Sequence, residues 1–520
     1  MGSSGKCRMK HVVLRSLAAY GLVLIFLPGC SGGKGVNDAN GAALVNFLIP
    51  DASQMLYTGS SYIFMAQAQG ALNATVKDQS QTTLGCSYNP ATGLISCAYV
   101  PSVAGTLTLT LTAALPDGTT QTASRQFTVS TPTGIYPLGD RFMYGFYSVS
   151  TNRFAAVQAL SYVNASHEYC PACTANGRLN YINAAKASGL SAFASMDYDI
   201  NGSASTPATN SCVTAPSVCT SAIDAMAPNA NFLIWDIPEE MDYLISSQMN
   251  AMTTIAAYAH AHDPMKRPVY MYIASNYTAK DIQNYVPYLD IIGAGAYGID
   301  NSQPSAWVRW RAEAEVNAII AAGYTTQQKT PILVTEAFCS PRGCTAGANF
   351  IHDTFTGLAA GLKGIMVYGY EQMLSTAADT PAAAAKTINL VMGTEALGEW
   401  VVKGKSKGDL TVVITSGSLT TPFFTPDHGE PTQNFPSVRA AAFDWAGVRL
   451  VIAVNSSPLP VTAILSGLPT GVSFANVVNE SRYAMITGGA LTDSFDGLGV
   501  HIYKVPMVGQ QSDGHWISLQ

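Results

Sequence analysis

The alternation of apolar and polar positions changes character along this 520-residue chain. From Leu44 to Ser130, apolar and polar residues alternate in short runs such as YIFMAQAQ and GTLTLTLTAA, broken by turn residues such as Asn89-Pro90 and Asp117-Gly118. That pattern predicts a small β-sandwich over 44–130. Between 131 and 398, wholly apolar runs take turns with helical periods such as QMNAMTTIAAYAHAH and WRAEAEVNAIIAAG. Eight strand candidates appear: Phe142–Val149, Ser166–Tyr169, Leu190–Met196, Phe232–Trp235, Val269–Ala274, Ile291–Ala296, Ile332–Thr335 and Gly364–Tyr368. Continuous apolar strands are buried on both faces, as in a parallel sheet covered by helices. Eight such units in about 260 residues is the size of a (β/α)8 TIM barrel. A doubly wound open sheet is the alternative, but Phe146 and Tyr147 stand where it would carry a glycine-rich turn. Over 399–507 alternation returns, with Trp445-Ala446-Gly447 as a tight turn. This predicts a second β-sandwich packed on the barrel, with Phe443 and Tyr503 in its core. Residues 30–43 are rich in Gly, Asn and Ser and form a flexible tether; residues 508–520 are a polar tail.

Composition narrows the setting. Hydrophobic residues make up 48% and charged ones only 12%, about half the usual charged share, so the surface is polar through uncharged side chains, as suits an exported protein. The formal charge of −6 would become −10 on loss of a leader carrying Lys6, Arg8, Lys10 and Arg15. Such a chain, with no basic cluster, is not a nucleic-acid binder. Residues 1–29 read as a signal peptide, because the apolar run Leu17–Leu27 is far short of the ~20 residues that span a bilayer. Leu27-Pro28-Gly29-Cys30 resembles a bacterial lipobox, which implies lipidation of Cys30 and a membrane anchor. Ser31 would then direct the protein to the outer membrane. Apart from Cys7 and Cys30, the cysteines fall into four close pairs: Cys86 with Cys97, Cys170 with Cys173, Cys212 with Cys219, and Cys339 with Cys344. In an oxidising compartment these are expected to be local disulfides. Cys170-Pro-Ala-Cys173 also has the spacing of a redox motif, but without the α/β domain such a motif opens.

The candidate chemistry lies at strand ends, where barrels of this type build their sites. FLIWDIPEEM ends the fourth strand at Asp236, Glu239 and Glu240, and PILVTEAF ends the seventh at Glu336. A strand-end acid can also simply accept backbone amides. The first sandwich resembles an immunoglobulin-like domain, and the barrel resembles glycoside hydrolase clan A. That second resemblance implies that Glu240 is the acid/base and Glu336 the nucleophile of a retaining reaction on an extracellular or cell-surface polysaccharide, with carboxyls about 5 to 5.5 Å apart. It also implies that Glu239 replaces an Asn that contacts the sugar, that Tyr297 bonds the nucleophile, and that Tyr368 and Tyr370 floor the sugar site. Asp197, Asn276 and Trp307 lie where loops would line the cleft. His167 and Glu168 occupy the region where the clan commonly has an Arg. No cofactor or metal is implied. The Glu for Asn exchange motivates an alternative, a catalytically inactive barrel that binds surface polysaccharide. Other chemistries lack their motifs: there is no G-x-S-x-G elbow, no phosphate-loop Lys-Ser/Thr, and His260 and His262 are two apart rather than four.

Overall fold

The computed structural model describes residues 45–50, 52–169, 174–196, 206, 208–375, 379–426 and 428–507. The signal peptide, tether, Cys30, Cys170, Cys173, Asp197 and the tail therefore lie outside the described residues.

Eight parallel strands close on themselves: β1 Met143–Phe146, β2 Ala165–Ser166, β3 Ser191–Ser195, β4 Phe232–Asp236, β5 Val269–Ile273, β6 Ile291–Ala296, β7 Thr330–Glu336 and β8 Gly364–Tyr368. They follow one another in chain order around the ring, and β8 pairs with β1. Closure rules out the open sheet, and every apolar run from the sequence supplies a strand. The second is only two residues long, because the chain after Ser166 leaves the ladder while the His167 amide still donates to the Phe146 carbonyl.

Side chains alternate between lumen and helix layer, as a strand requires. Met143, Phe193, Ile234, Tyr270, Tyr272, Ile332, Val334 and Met366 pack together inside, whereas Tyr144, Ala192, Trp235, Met271, Ile292, Leu333 and Ile365 join the outer core. Two tyrosines on β5 are too bulky for a lumen this narrow unless a neighbour gives way. On β6 the inward positions are Gly293 and Gly295, where a β-carbon would lie 2.7 Å from the Tyr270 ring or collide with the Tyr272 hydroxyl. The sequence IIGAGA is thus the small half of a large–small pair. Gly295→Val is expected to cost about 1–3 kcal/mol through overpacking, read as a lower denaturant midpoint at unchanged slope; wild-type stability would contradict this packing account.

The first sandwich pairs a sheet of Val45–Ile49, Tyr62–Ala68, Leu94–Tyr99 and Cys86–Asn89 with a second of Leu56–Tyr57, Thr120–Ser130, Gly105–Ala114 and Asn73–Lys77. Cys86 and Cys97 are directly opposite on neighbouring strands and are bridged. Disulfides also join Cys212 to Cys219 and Cys339 to Cys344. The last sandwich has a six-stranded and a three-stranded sheet. Val438–Trp445 and Val448–Asn455 form its hairpin, with left-handed φ of 52° at Ala446 and 76° at Gly447, the two-residue turn that matches strand twist. Phe443 and Tyr503 are core residues, as expected. Trp445 at the hairpin end meets Tyr62 of the first sandwich at 5.4 Å and Trp400 at 5.2 Å between ring centres, so the three parts share one packed unit. Among the described residues, no helix is long and apolar enough to cross a membrane.

Candidate active site

Strand alternation determines which side chains look into the barrel mouth. Continuing each inward row to its last member gives Tyr147, His167, Ser195, Asp236, Tyr272, Tyr297, Glu336 and Tyr368, one from each of β1 to β8. Most of this ring is aromatic. Tyr147 lies 4.2 Å from His167, 5.9 Å from Tyr169 and 6.0 Å from Tyr368 between ring centres, and Tyr368 is 5.8 Å from Tyr297. Its hydrophilic members are two carboxyls, a histidine, a serine and the phenol hydroxyls.

At the β4 end, His167 Nε2 and Asp236 Oδ2 are 2.6 Å apart, and both residues are fully buried. Glu239 stands above them, half-buried, accepting from the Tyr169 hydroxyl at 3.3 Å. His167, Asp236 and Glu239 offer ligand atoms within 4.8 Å of one another. The His167–Asp236 bond fixes the orientation of the imidazole beneath Glu239. The tyrosines respond to this cluster. Burial pushes the Tyr147 and Tyr270 phenols well above their ordinary range; the neighbouring Tyr270 adds to the effect on Tyr147, and the charges of Glu239 and Asp236 add to it on both. Their hydroxyls, 2.5 Å apart, stay protonated.

Glu240 follows Glu239 into a turn. Beyond Pro238 the chain bonds back to β5 through the Glu240 amide and the Tyr272 carbonyl, at 2.9 Å, and Glu240 adopts a left-handed φ of 53°. Glu240 is exposed and Glu239 half-buried, and both charges act on the mouth: after burial, Glu240 does most to raise the Tyr272 phenol, and Glu239 adds to it. Glu240 also lines a neighbouring cavity of about 480 Å³ with Asp242, Asn276, Tyr277 and His428. His428 comes from a long loop of the last sandwich, fastened by His428 Nδ1 to Asp281 at 3.0 Å and by the Trp310 indole donating to Glu430 at 3.1 Å.

Glu336 ends β7 as expected and is buried, with only 1% of its surface exposed. Its two oxygens accept from the backbone amides of Ile299 at 2.7 Å and Asp300 at 3.1 Å. Burial raises its pKa from 4.5 to about 8; the two amides oppose that rise, and the Asp353 and Asp300 charges add to it. Between those values the folded chain holds a proton that the unfolded chain has released. Stability therefore falls as pH rises through this window, by at most about 1.4 kcal/mol per unit from this group. Denaturant unfolding from pH 5 to 8 should show a shallower decline in Glu336→Gln than in wild type; parallel curves would contradict the shift.

Among the aromatic candidates, Tyr297 and Tyr368 are in the mouth. Tyr297, however, pairs with Tyr272, and the loop after β6 reaches Glu336 through its amides rather than through the phenol. Two expectations are corrected. Trp307 is the second residue of helix Ala306–Ala321 and is buried against Trp310, and Tyr370 opens the short helix Tyr370–Met373 and packs edge-on against Phe146 in the outer core. Both aromatics follow a loop so closely that they already belong to a helix facing inward. Asn276 lines the cavity beside Glu240. Tyr147, Tyr169, Tyr270 and Tyr272 were not singled out from the sequence, though the alternation in VYMYI marks the last two as a same-face pair.

No family's sequence profile matches the chain, and no curated protein is similar to it. Among solved structures, the fold is similar to a family 39 glycoside hydrolase from the gut symbiont Bacteroides cellulosilyticus WH2, at 9% identity and a TM-score of 0.46 over 88% of this chain and 100% of that one. A cyclomaltodextrinase gives 8% identity and a TM-score of 0.46 over 88% and 99%. A GH30 endoxylanase from Clostridium papyrosolvens C71 gives 12% identity and 0.38 over 70% and 96%.

Proposed function

We propose that the barrel mouth is the active site of a retaining glycoside hydrolase acting on a polysaccharide, with Glu239 as acid/base and Glu336 as nucleophile. The observation that carries this reading is the barrel mouth itself: Glu336 ends β7 and Glu239 follows the β4 end at a mouth walled largely by tyrosines, the mixture of aromatic faces and fixed polar groups that suits a pyranose. Glu239 protonates the departing glycosidic oxygen while Glu336 attacks the anomeric carbon. Glu239 then takes a proton from water, which displaces the sugar from Glu336. The His167–Asp236 pair beneath Glu239, together with Tyr169, holds its carboxyl in place. The Ile299 and Asp300 amides steady the Glu336 anion. Incubation with a panel of polysaccharides and aryl glycosides, scored by new reducing ends and by the anomer first released, tests the reading; inversion of configuration would exclude the double displacement.

One observation favours a second reading. Both Glu336 oxygens are occupied by backbone donors and its pKa is raised to about 8, as expected of an acid serving the loop rather than a substrate. A barrel that binds polysaccharide without cleaving it would show saturable binding and no reducing ends on any member of that panel.

A further inference from the structure

A second recessed surface lies between the two sandwiches and draws on no residue of the barrel. Its cavity, about 500 Å³, is lined on one side by the sheet of the first sandwich that carries Cys86 and Cys97, and on the other by the six-stranded sheet of the last. Each wall is the face turned away from its own core. On the first, Ile63 is opposite Ala98, and Ser96 is opposite both Met65 and Ser87. On the second, Ala475, Val477 and Ala484 are buried while Phe474, Asn476, Tyr483 and Met485 alternate with them outward.

The walls differ in chemistry. Tyr483 and Met485 are 62% and 70% exposed, unusual for large apolar residues in adjacent rows, and Tyr483 meets Phe474 edge-on at 5.4 Å, which leaves an aromatic shelf open to the trough. The facing wall sets the hydroxyls of Ser87, Ser96 and Thr92 and the Asn89 amide among apolar side chains such as Ile63 and Leu94. One charged residue, Lys504, lines the trough, and its ammonium is committed elsewhere, donating to Glu395 at 2.7 Å while the residue is 2% exposed. An uncharged trough gives an anionic polymer no counter-charge and a charged peptide no salt bridge. Aromatic faces with hydroxyl and amide groups suit the C–H faces and hydroxyls of a sugar, and the volume lies within the range of small-ligand sites.

We infer that this trough is a second glycan-binding site, distinct from the barrel mouth and specific for a neutral saccharide chain. It needs both sandwiches, because the shelf and the hydroxyl wall come from opposite ends of the sequence. It does not depend on whether the mouth is catalytic. The test is affinity electrophoresis of the full chain through gels containing a neutral β-glucan, arabinoxylan, mannan or starch, with pectin as the anionic control. At least one neutral glycan should retard the wild type, and Tyr483→Ala should weaken that retardation at least about fivefold. Ala98→Arg, which fills the trough from the other wall at an exposed position, should do the same, and both variants should keep wild-type thermal unfolding. The site is overturned if no neutral glycan retards the protein or if pectin alone does. It is equally overturned if retardation survives both trough substitutions and is lost in Glu239→Gln, which would place binding in the mouth.

Discussion

Glu336→Gln is expected to lower kcat at least about a thousandfold, ~4 kcal/mol of lost transition-state stabilisation, with glycan affinity little changed. The amide keeps one acceptor for the Ile299 or Asp300 backbone donors and nearly the same volume, so the loop stays in place while the nucleophilic oxygen is gone. Wild-type activity should carry the signature of the buried acid. Because Glu336 must be ionised to attack and its carboxyl is held near pH 8, kcat/KM should rise with pH up to about 8. Retention of activity in Glu336→Gln, or a pH optimum near 5 in the wild type, would remove Glu336 from the reaction and leave it the structural role its amide bonds also fit.

The second large effect separates two adjacent residues. Glu239→Ala should lose about 10²–10⁴-fold on substrates with poor leaving groups and much less on aryl glycosides whose phenol departs unaided. Added azide should restore turnover by attacking the glycosyl intermediate where water can no longer be activated. With Glu239 as the acid/base, Glu240→Ala should show neither behaviour; Glu240 is exposed and lines the cavity that Asn276 and His428 share. The reverse pattern would mean that the left-handed turn at Glu240 does not persist when substrate binds.

That contrast also shows how far the residues alone could be read. The eight barrel strands were legible because their apolar runs are buried on both faces, which no exposed segment imitates. The turn that sets Glu239 and Glu240 apart was not. Pro238 announces a bend, but the left-handed angle at Glu240 leaves one carboxyl exposed and the other half-buried, and an acidic pair carries no signal of that angle. Trp307 and Tyr370 were misplaced for a related reason, since an aromatic just after a strand serves equally as a cleft wall or as the first inward residue of the next helix. The tyrosine lumen could have been found, because Tyr270 and Tyr272 on one strand are answered by Gly293 and Gly295 on the next. Seeing it requires comparing two strands at matched depth rather than each by itself. Glu336 was located by its strand, but its engagement by Ile299 and Asp300 is a contact across some 36 residues that spacing does not encode.

The loop that delivers His428 has a consequence for how such a chain diversifies. It arises in the last sandwich yet forms part of the wall beside Glu240 and Asn276, fastened to the barrel through Asp281 and Trp310. The information for what fits beside the mouth is therefore divided between two segments of the gene more than a hundred codons apart. An exchange that kept the barrel and replaced the last domain would transplant this wall along with it, altering ligand preference while every strand-end residue stayed the same.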